Sequence, residues 1–127
     1  GGQGSAMRTV IVTGGRDWPD ERMVWDALEK STPDLVVQGG CPTGADFYAR
    51  EWATLWRVPC ETVRANWAKE GASAGPRRNQ RMLKKYPQAL VLAFPHGGHG
   101  TAYCMRRAKK LGMQVEVVEL FPTMVTR

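Results

Sequence analysis

Ala89-Leu90-Val91-Leu92-Ala93-Phe94-Pro95-His96-Gly97-Gly98-His99-Gly100-Thr101 decides the fold. Six mostly apolar residues lead into a glycine loop, and a helix, Ala102 to Leu111, leads out of it. A strand, a glycine loop and a helix N-terminus in series make an anion site. Glycines let the backbone approach a phosphate, and free N–H groups and the helix dipole favour negative charge there. The design recurs at Thr13-Gly14-Gly15-Arg16 and at Gly39-Gly40-Cys41-Pro42-Thr43-Gly44. Three such loops in one small protein point to a nucleotide-like ligand.

Outward from these loops, strands alternate with helices. Arg8 to Thr13 is a β-rich run that reads as a buried first strand, and Leu35 to Gln38 is a second. Cys60 to Arg64, after the Val58-Pro59 turn, is a third strand, Ala89 to Phe94 a fourth and Gln114 to Val118 a fifth. Pro19 to Lys30 has Met23, Val24, Ala27 and Leu28 at helical spacing, with Asp20 and Glu21 in the first turn. Thr43 to Arg57 places Ala45, Ala49, Trp52, Ala53 and Trp56 on one helix face. Ala65 to Gly75 reads as irregular, and Pro76 opens a helix to about Lys85. Glu119 to Arg127 has no clear pattern. This alternation predicts an α/β Rossmann-like domain: three layers, α/β/α, around a mainly parallel five-stranded sheet. In such sheets ligands bind at the carboxyl ends of the strands, where the strand order switches, and all three glycine loops follow strands.

Composition bounds the function. The first six residues of the 127, Gly1-Gly2-Gln3-Gly4-Ser5-Ala6, read as an expression scar before a natural start at Met7. The remainder, 7–127, is one domain with room for a core. Hydrophobic content of 43% and charged content of 24% suit a soluble globular protein. No apolar run approaches the ~18 residues that span a bilayer, and no signal peptide is visible, so a cytoplasmic protein without membrane partners is expected. Three cysteines without C-x-x-C spacing argue against a disulfide framework or zinc knuckle. Cys60 reads as a buried or idle thiol, whereas Cys41 and Cys104 lie near glycine loops, where a helix N-terminus lowers a thiol pKa. The net charge of +6 concentrates in Arg77, Arg78, Arg81, Lys84, Lys85 and in Arg106, Arg107, Lys109, Lys110. Such clusters suit nucleic acid or a phosphorylated small molecule, or are solvated helix faces.

The standard nucleotide motifs are missing. No Gly-Lys-Ser/Thr follows a glycine loop, and Tyr103 stands where a dinucleotide fingerprint needs a small residue. No cofactor is therefore expected. Gly14-Gly15-Arg16 reads as a backbone cradle with Arg16 on a phosphate. In the second loop Thr43 reads as a helix N-cap, while Asp46 either caps free amides or bonds a ribose hydroxyl. Arg77, Arg78 and Asn79 fall in the first turn of the helix opened by Pro76, where cations conflict with the positive helix end. A bound anion removes the conflict. Consecutive residues diverge around a helix, so one of Arg77 and Arg78 faces the ligand, and Arg81 shares a face with either. His96 and His99 lack further ligands for a metal, and either bond a phosphate or base or lie in solvent. Trp52 and Trp56 belong to a core stripe. Trp18 and Trp67, in loops after strands, stack on a base or cover the core edge.

Taken together, Thr13-Gly14-Gly15-Arg16-Asp17, Gly39-Gly40-x-x-x-Gly44-Ala45-Asp46, Ala65-Asn66-Trp67, Ala74-Gly75-Pro76-Arg77-Arg78-Asn79-Gln80-Arg81-Met82 and Phe94-Pro95-x-Gly97-Gly98-x-Gly100-Thr101 resemble the SLOG superfamily. Within it they look like the YspA/YpsA-related branch of bacterial and phage proteins. The resemblance spans residues 8 to 118. It implies a Rossmann-like fold, a nucleotide-derived ligand at the glycine loops and pairing into a homodimer. Members differ in activity: Lonely Guy enzymes cleave the base from nucleoside monophosphates, DprA/Smf proteins bind single-stranded DNA, and some defence-system sensors bind cyclic ADP-ribose-type signals. Fold alone therefore does not assign function. Lonely Guy enzymes follow Gly-Gly-x-Gly-Thr with a glutamate pair, where this chain has Ala102, Tyr103 and Cys104. That removes the carboxylate that would stabilise an oxocarbenium-like ribose or activate water.

The expectation is a sensor or sequestering domain for a phosphorylated nucleoside or ADP-ribose-type ligand. Gly14, Gly15, Gly97, Gly98, Gly100 and Thr101 cradle phosphate, Arg16 and one of Arg77 or Arg78 pair with its charge, and Asp46 or Asn79 orients the sugar. Gly40, Thr43, Gly44 and His99 complete the expected site. One alternative is an N-glycosidic hydrolase using Arg77 and Asp46. The other is a single-stranded nucleic-acid-binding module built on the basic clusters.

Overall fold

The computed structural model describes residues 7–120. Residues 1–6, expected to be an expression scar, and residues 121–127 of the patternless tail lie outside the described residues. Five strands, β1 (Thr9–Gly14), β2 (Leu35–Gln38), β3 (Cys60–Thr62), β4 (Leu90–Phe94) and β5 (Gln114–Val117), form one all-parallel sheet in the order β3-β2-β1-β4-β5. The helices are α1 (Glu21–Ser31), α2 (Gly44–Trp56), the short α3 (Trp67–Glu70), α4 (Ala74–Lys85) and α5 (Gly100–Lys110). Helices cover both faces of the sheet, as an α/β Rossmann-like arrangement requires.

The period-2 alternation of β1 separates two cores. Val10 and Val12 pack with Val24 and Leu28 of α1 and Ala49, Trp52 and Ala53 of α2. Ile11 packs on the other face with Met82 and Leu83 of α4 and Cys104 and Ala108 of α5. All three β1 residues are fully buried, each contributing about 1.5–3 kcal/mol relative to exposure. The helix α1 lies between β1 and β2 in sequence and α5 between β4 and β5, on opposite faces. The strand order therefore switches between β1 and β4, the crevice where α/β sheets take ligands.

Local chemistry sets the helix ends. Asp20 is the N-cap of α1 rather than part of its first turn: its Oδ1 accepts the Met23 N–H at 3.1 Å. Thr43 holds the N-cap position of α2 but caps nothing, because its hydroxyl donates to the Arg16 carbonyl at 2.8 Å. The stretch expected to be irregular contains α3 and a 3-10 turn at Gly71–Ser73, which run into α4. Helix α4 begins at Ala74, not Pro76. Proline is still accommodated, since first-turn N–H groups lack intrahelical partners. The earlier start moves Arg77 and Arg78 past the first turn, which weakens the helix-dipole conflict expected for them.

One aromatic expectation is corrected, that for Trp56, and two open readings, of Trp18 and Cys60, are narrowed. Trp18 is 1% exposed and meets Phe94 edge-on at 5.4 Å, so it belongs to the core rather than to a base-stacking surface. Its Nε1–H donates to the Asp20 carbonyl at 2.8 Å, which satisfies the buried indole. Trp56, expected in the core stripe of α2, is 60% exposed as the last residue of that helix. Cys60 is exposed, because β3 is the short edge strand. Among the described residues no helix is long and apolar enough to cross a membrane.

Candidate functional site

The three glycine loops meet at the carboxyl edge of the sheet around a cavity of about 380 Å³, within the ~300–1,000 Å³ range of small-molecule sites. Gly14 ends β1 and Gly15, Arg16 and Asp17 follow it, Gly39 follows β2, and His96, Gly97, Gly98, Gly100 and Thr101 follow β4. Asp46 of α2, Trp67 of α3, and Gly75, Arg78, Asn79 and Met82 of α4 close the wall. A side cavity of about 260 Å³ shares Gly14, Arg16, Gly39, Asp46, Trp67 and Arg78 with it and extends to Gly40, Cys41 and Arg64.

The loops are held by close backbone approach. A Cβ on Gly44 would collide with the Gly15 and Arg16 carbonyls, and its φ of +74° is one that L side chains rarely adopt. Gly44 thus locks the second loop onto the first, and Thr43 reinforces the joint through its bond to Arg16. The Gly15 amide in turn donates to the Phe94 carbonyl at 3.1 Å, tying the first loop to β4. Gly97 and Gly98 take φ of +62° and +60°, yet a Cβ on either would meet only open space. Their need for glycine is conformational rather than steric.

Asp46 supports the second loop. Its Oδ2 accepts the Gly39 N–H at 3.2 Å and the Cys41 N–H at 3.3 Å. Of the two roles left open for it, capping of loop amides is the one the side chain performs. Burial pushes its carboxyl pKa up, opposed by the two amides and by the Arg78 and Arg50 guanidinium groups. Arg78 stands beside it. Its Nη1 donates to the Gly39 carbonyl and its Nε to Asn79 Oδ1, both at 2.7 Å.

Of the two arginines, Arg78 lies on the cavity wall and Arg77 does not. Arg77 Nη1 and Arg81 Nη1 each lie 3.8 Å from the Glu70 carboxylate instead. Arg77 and Asp46, expected to act together in the hydrolase alternative, are therefore not brought together on the wall. Thr43, Gly44 and His99 also lie off both cavities, and His96 rather than His99 lines the larger one. His99 is the N-cap residue of α5. At the positions of the missing glutamate pair, Tyr103 accepts a hydrogen bond from Gln80 at 2.6 Å and Cys104 is buried. Burial pushes the Cys104 thiol up to about 11, so it is no thiolate nucleophile.

Two residues of the site were not singled out from the sequence. Gln38 is fully buried: its Oε1 accepts the Gly40 N–H at 2.7 Å and Arg50 Nη1 at 2.9 Å, while its Nε2 donates to Thr62 Oγ1 at 2.7 Å. A polar residue ending an apolar strand next to Gly39-Gly40 was the available signal. Arg64 follows β3 and lines the side cavity. The remaining members of the basic clusters lie toward the other ends of the helices. Lys84 and Lys85 fall in the last turn of α4, and Arg107, Lys109 and Lys110 in that of α5, where cations complement the helix dipole.

Comparison with known proteins bears on the whole arrangement. Residues 8–69 match the family described as "YspA, cpYpsA-related SLOG family". A phage protein, the Gene 61 protein of Mycobacterium phage D29, is 42% identical over 119 residues, covering 86% of this chain and 94% of the phage protein. The chain belongs to the SLOG family. The matched segment of this SLOG domain carries β1, β2, β3 and the first two glycine loops; the phage relative extends the likeness over most of the chain. Membership points to a nucleotide-related role.

Proposed function

We propose that this SLOG domain binds a phosphorylated nucleoside or ADP-ribose-type nucleotide, as a sensor or sequestering protein. One observation carries the reading: loops from three parallel strands and the N-terminus of α5 converge on one cavity whose wall includes Arg16 and Arg78. Backbone amides and a helix dipole favour phosphate without any side chain, and guanidinium groups add charge-assisted bonds. Asn79, buried and bonded to Arg78, and Asp46 are the polar groups placed to orient a sugar.

The test is a thermal-shift panel of AMP, GMP, CMP, ADP-ribose, cyclic ADP-ribose and NAD. A ligand at 100 times its Kd adds about 2.7 kcal/mol, a rise of several degrees. The control is Gly100→Glu. Gly100 opens α5, a Cβ there meets nothing within 4 Å, and its backbone is not left-handed, so the fold tolerates a carboxylate placed in the anion site. Gly98→Glu is a poorer control because φ of +60° adds backbone strain. The expected result is a shift lost in Gly100→Glu. No shift with any of the six, or a shift that survives the substitution, refutes the reading.

A second reading, hydrolysis of the N-glycosidic bond, rests on Asp46: a buried carboxyl with a raised pKa on a cavity wall is a candidate acid or base. Free base released by the wild type but not by Asp46→Asn, with binding kept, supports it. Binding without base release assigns the domain to ligand capture.

A further inference from the structure

We propose that the side cavity is a second anion subsite, formed by Arg16, Arg64 and Arg78, so that the bound nucleotide carries two phosphate groups rather than one. This rests on the nucleotide-binding reading of the same cleft. Charge around the two lobes is uneven. The ionisable Arg and Asp residues of the larger cavity are Arg16 and Arg78 against Asp17 and Asp46. Those of the side cavity are Arg16, Arg64 and Arg78 against Asp46 alone, and the Asp46 Oδ2 is already held by two amides.

The geometry makes the excess available. Among the described residues, neither Arg16 nor Arg64 has a carboxylate within salt-bridge distance, whereas Arg77 and Arg81 both have Glu70. The Arg64 guanidinium stands over Gly40: a Cβ on that glycine would lie 3.1 Å from Arg64 Nη1. Arg78 is braced by Gly39 and Asn79 at the junction of the lobes, where one cation reaches both. Trp67 lines both lobes, is 56% exposed and offers an aromatic wall between them. One phosphate then lies on the Gly97–Gly100 loop and α5, and the second among the arginines. A planar guanidinium with no competing carboxylate suits a phosphate by bidentate bonding.

Two ligand sources share this chemistry: a pyrophosphate-bridged nucleotide and a 5′-phosphorylated dinucleotide. The experiment compares AMP, ADP-ribose and 5′-phosphorylated deoxyadenylyl-deoxyadenosine by calorimetry, on wild type, Arg64→Ala and Arg64→Lys. The Arg64 side chain is exposed, so the variants should fold, which a melt checks. Wild type should bind at least one of the two-phosphate ligands tenfold or more tighter than AMP. Arg64→Ala should erase that gap while leaving AMP affinity within twofold, and Arg64→Lys should keep part of it. Which ligand gains through Arg64 names the source. AMP binding equal to both two-phosphate ligands, or an equal loss for all three in Arg64→Ala, overturns the subsite and leaves the nucleotide-binding reading standing. Binding of none of the three overturns the subsite, and the six-nucleotide thermal-shift panel then decides the nucleotide-binding reading separately.

Discussion

Removing the Asp46 side chain should destabilise the protein and loosen the second glycine loop together. In Asp46→Ala the Gly39 and Cys41 amides lose their acceptor. An unpaired buried donor costs about 1–3 kcal/mol; Gly39 is buried and bears the full penalty, whereas Cys41 is half-buried and recovers part through water. The expected loss is about 2–4 kcal/mol, read from urea melts at pH 7 with unchanged m-value. Asp46→Asn keeps an acceptor and removes the charge, so it should lose less. It also isolates the titration. Burial holds the native carboxyl above its ordinary 3.8, so the native state retains a proton that the unfolded chain has released. Stability from this group is then greatest below pH 3.8, falls as pH rises through the native pKa and is level above it. The stability of wild type minus that of Asp46→Asn should fall across that window. A loss under about 1 kcal/mol in Asp46→Ala, or a difference that rises with pH, would refute the account of Asp46 as a desolvated loop anchor.

Gln38→Ala breaks the other support of the same loop, leaving the Gly40 amide, Arg50 and Thr62 without their shared partner. A loss of about 2–4 kcal/mol in urea melts is expected; under about 1 kcal/mol, the network is dispensable. Iodoacetamide at pH 8 should modify the exposed Cys60 of the native protein and spare Cys104, whose thiol is buried and pushed up to about 11. Mass spectrometry that finds Cys104 labelled as fast as Cys60 would contradict that burial.

The layered fold was legible because its signals are local. Apolar runs, helical spacing and loop glycines each sit within one element, and each strand and long helix lies within a few residues of its expected position. The candidate cavity was legible where glycine loops line it, at Gly14-Gly15 and at Gly97, Gly98 and Gly100. It was less so where a partner distant in sequence decides. Arg77 and Arg78 are chemically alike, and Glu70 draws one away while Gly39 holds the other. Helical spacing held a clue: Arg78 is three residues after Gly75 and four before Met82, both on the cavity wall. Trp18 looked like a loop aromatic because Phe94, which buries it, lies far along the chain. Gln38 and Arg64 depend on contacts across strands that no spacing rule reaches.

The pairing of β1 has a consequence for how the chain reaches this structure. Val10 pairs with Val36 on one side and with Leu90 on the other. The second pairing closes most of the chain into a single loop, the kind of non-local contact that slows folding. A nascent chain that has emerged only through α4 still leaves one edge of β1 open, with no β4 loop opposite Gly14 and Gly15. The segment matched to the family, residues 8–69, carries three of the five strands and lacks β4, the partner of β1 on that side. The cavity at the carboxyl edge, which needs the loop after β4 beside Gly14 and Gly15, should therefore be complete only once the sheet is.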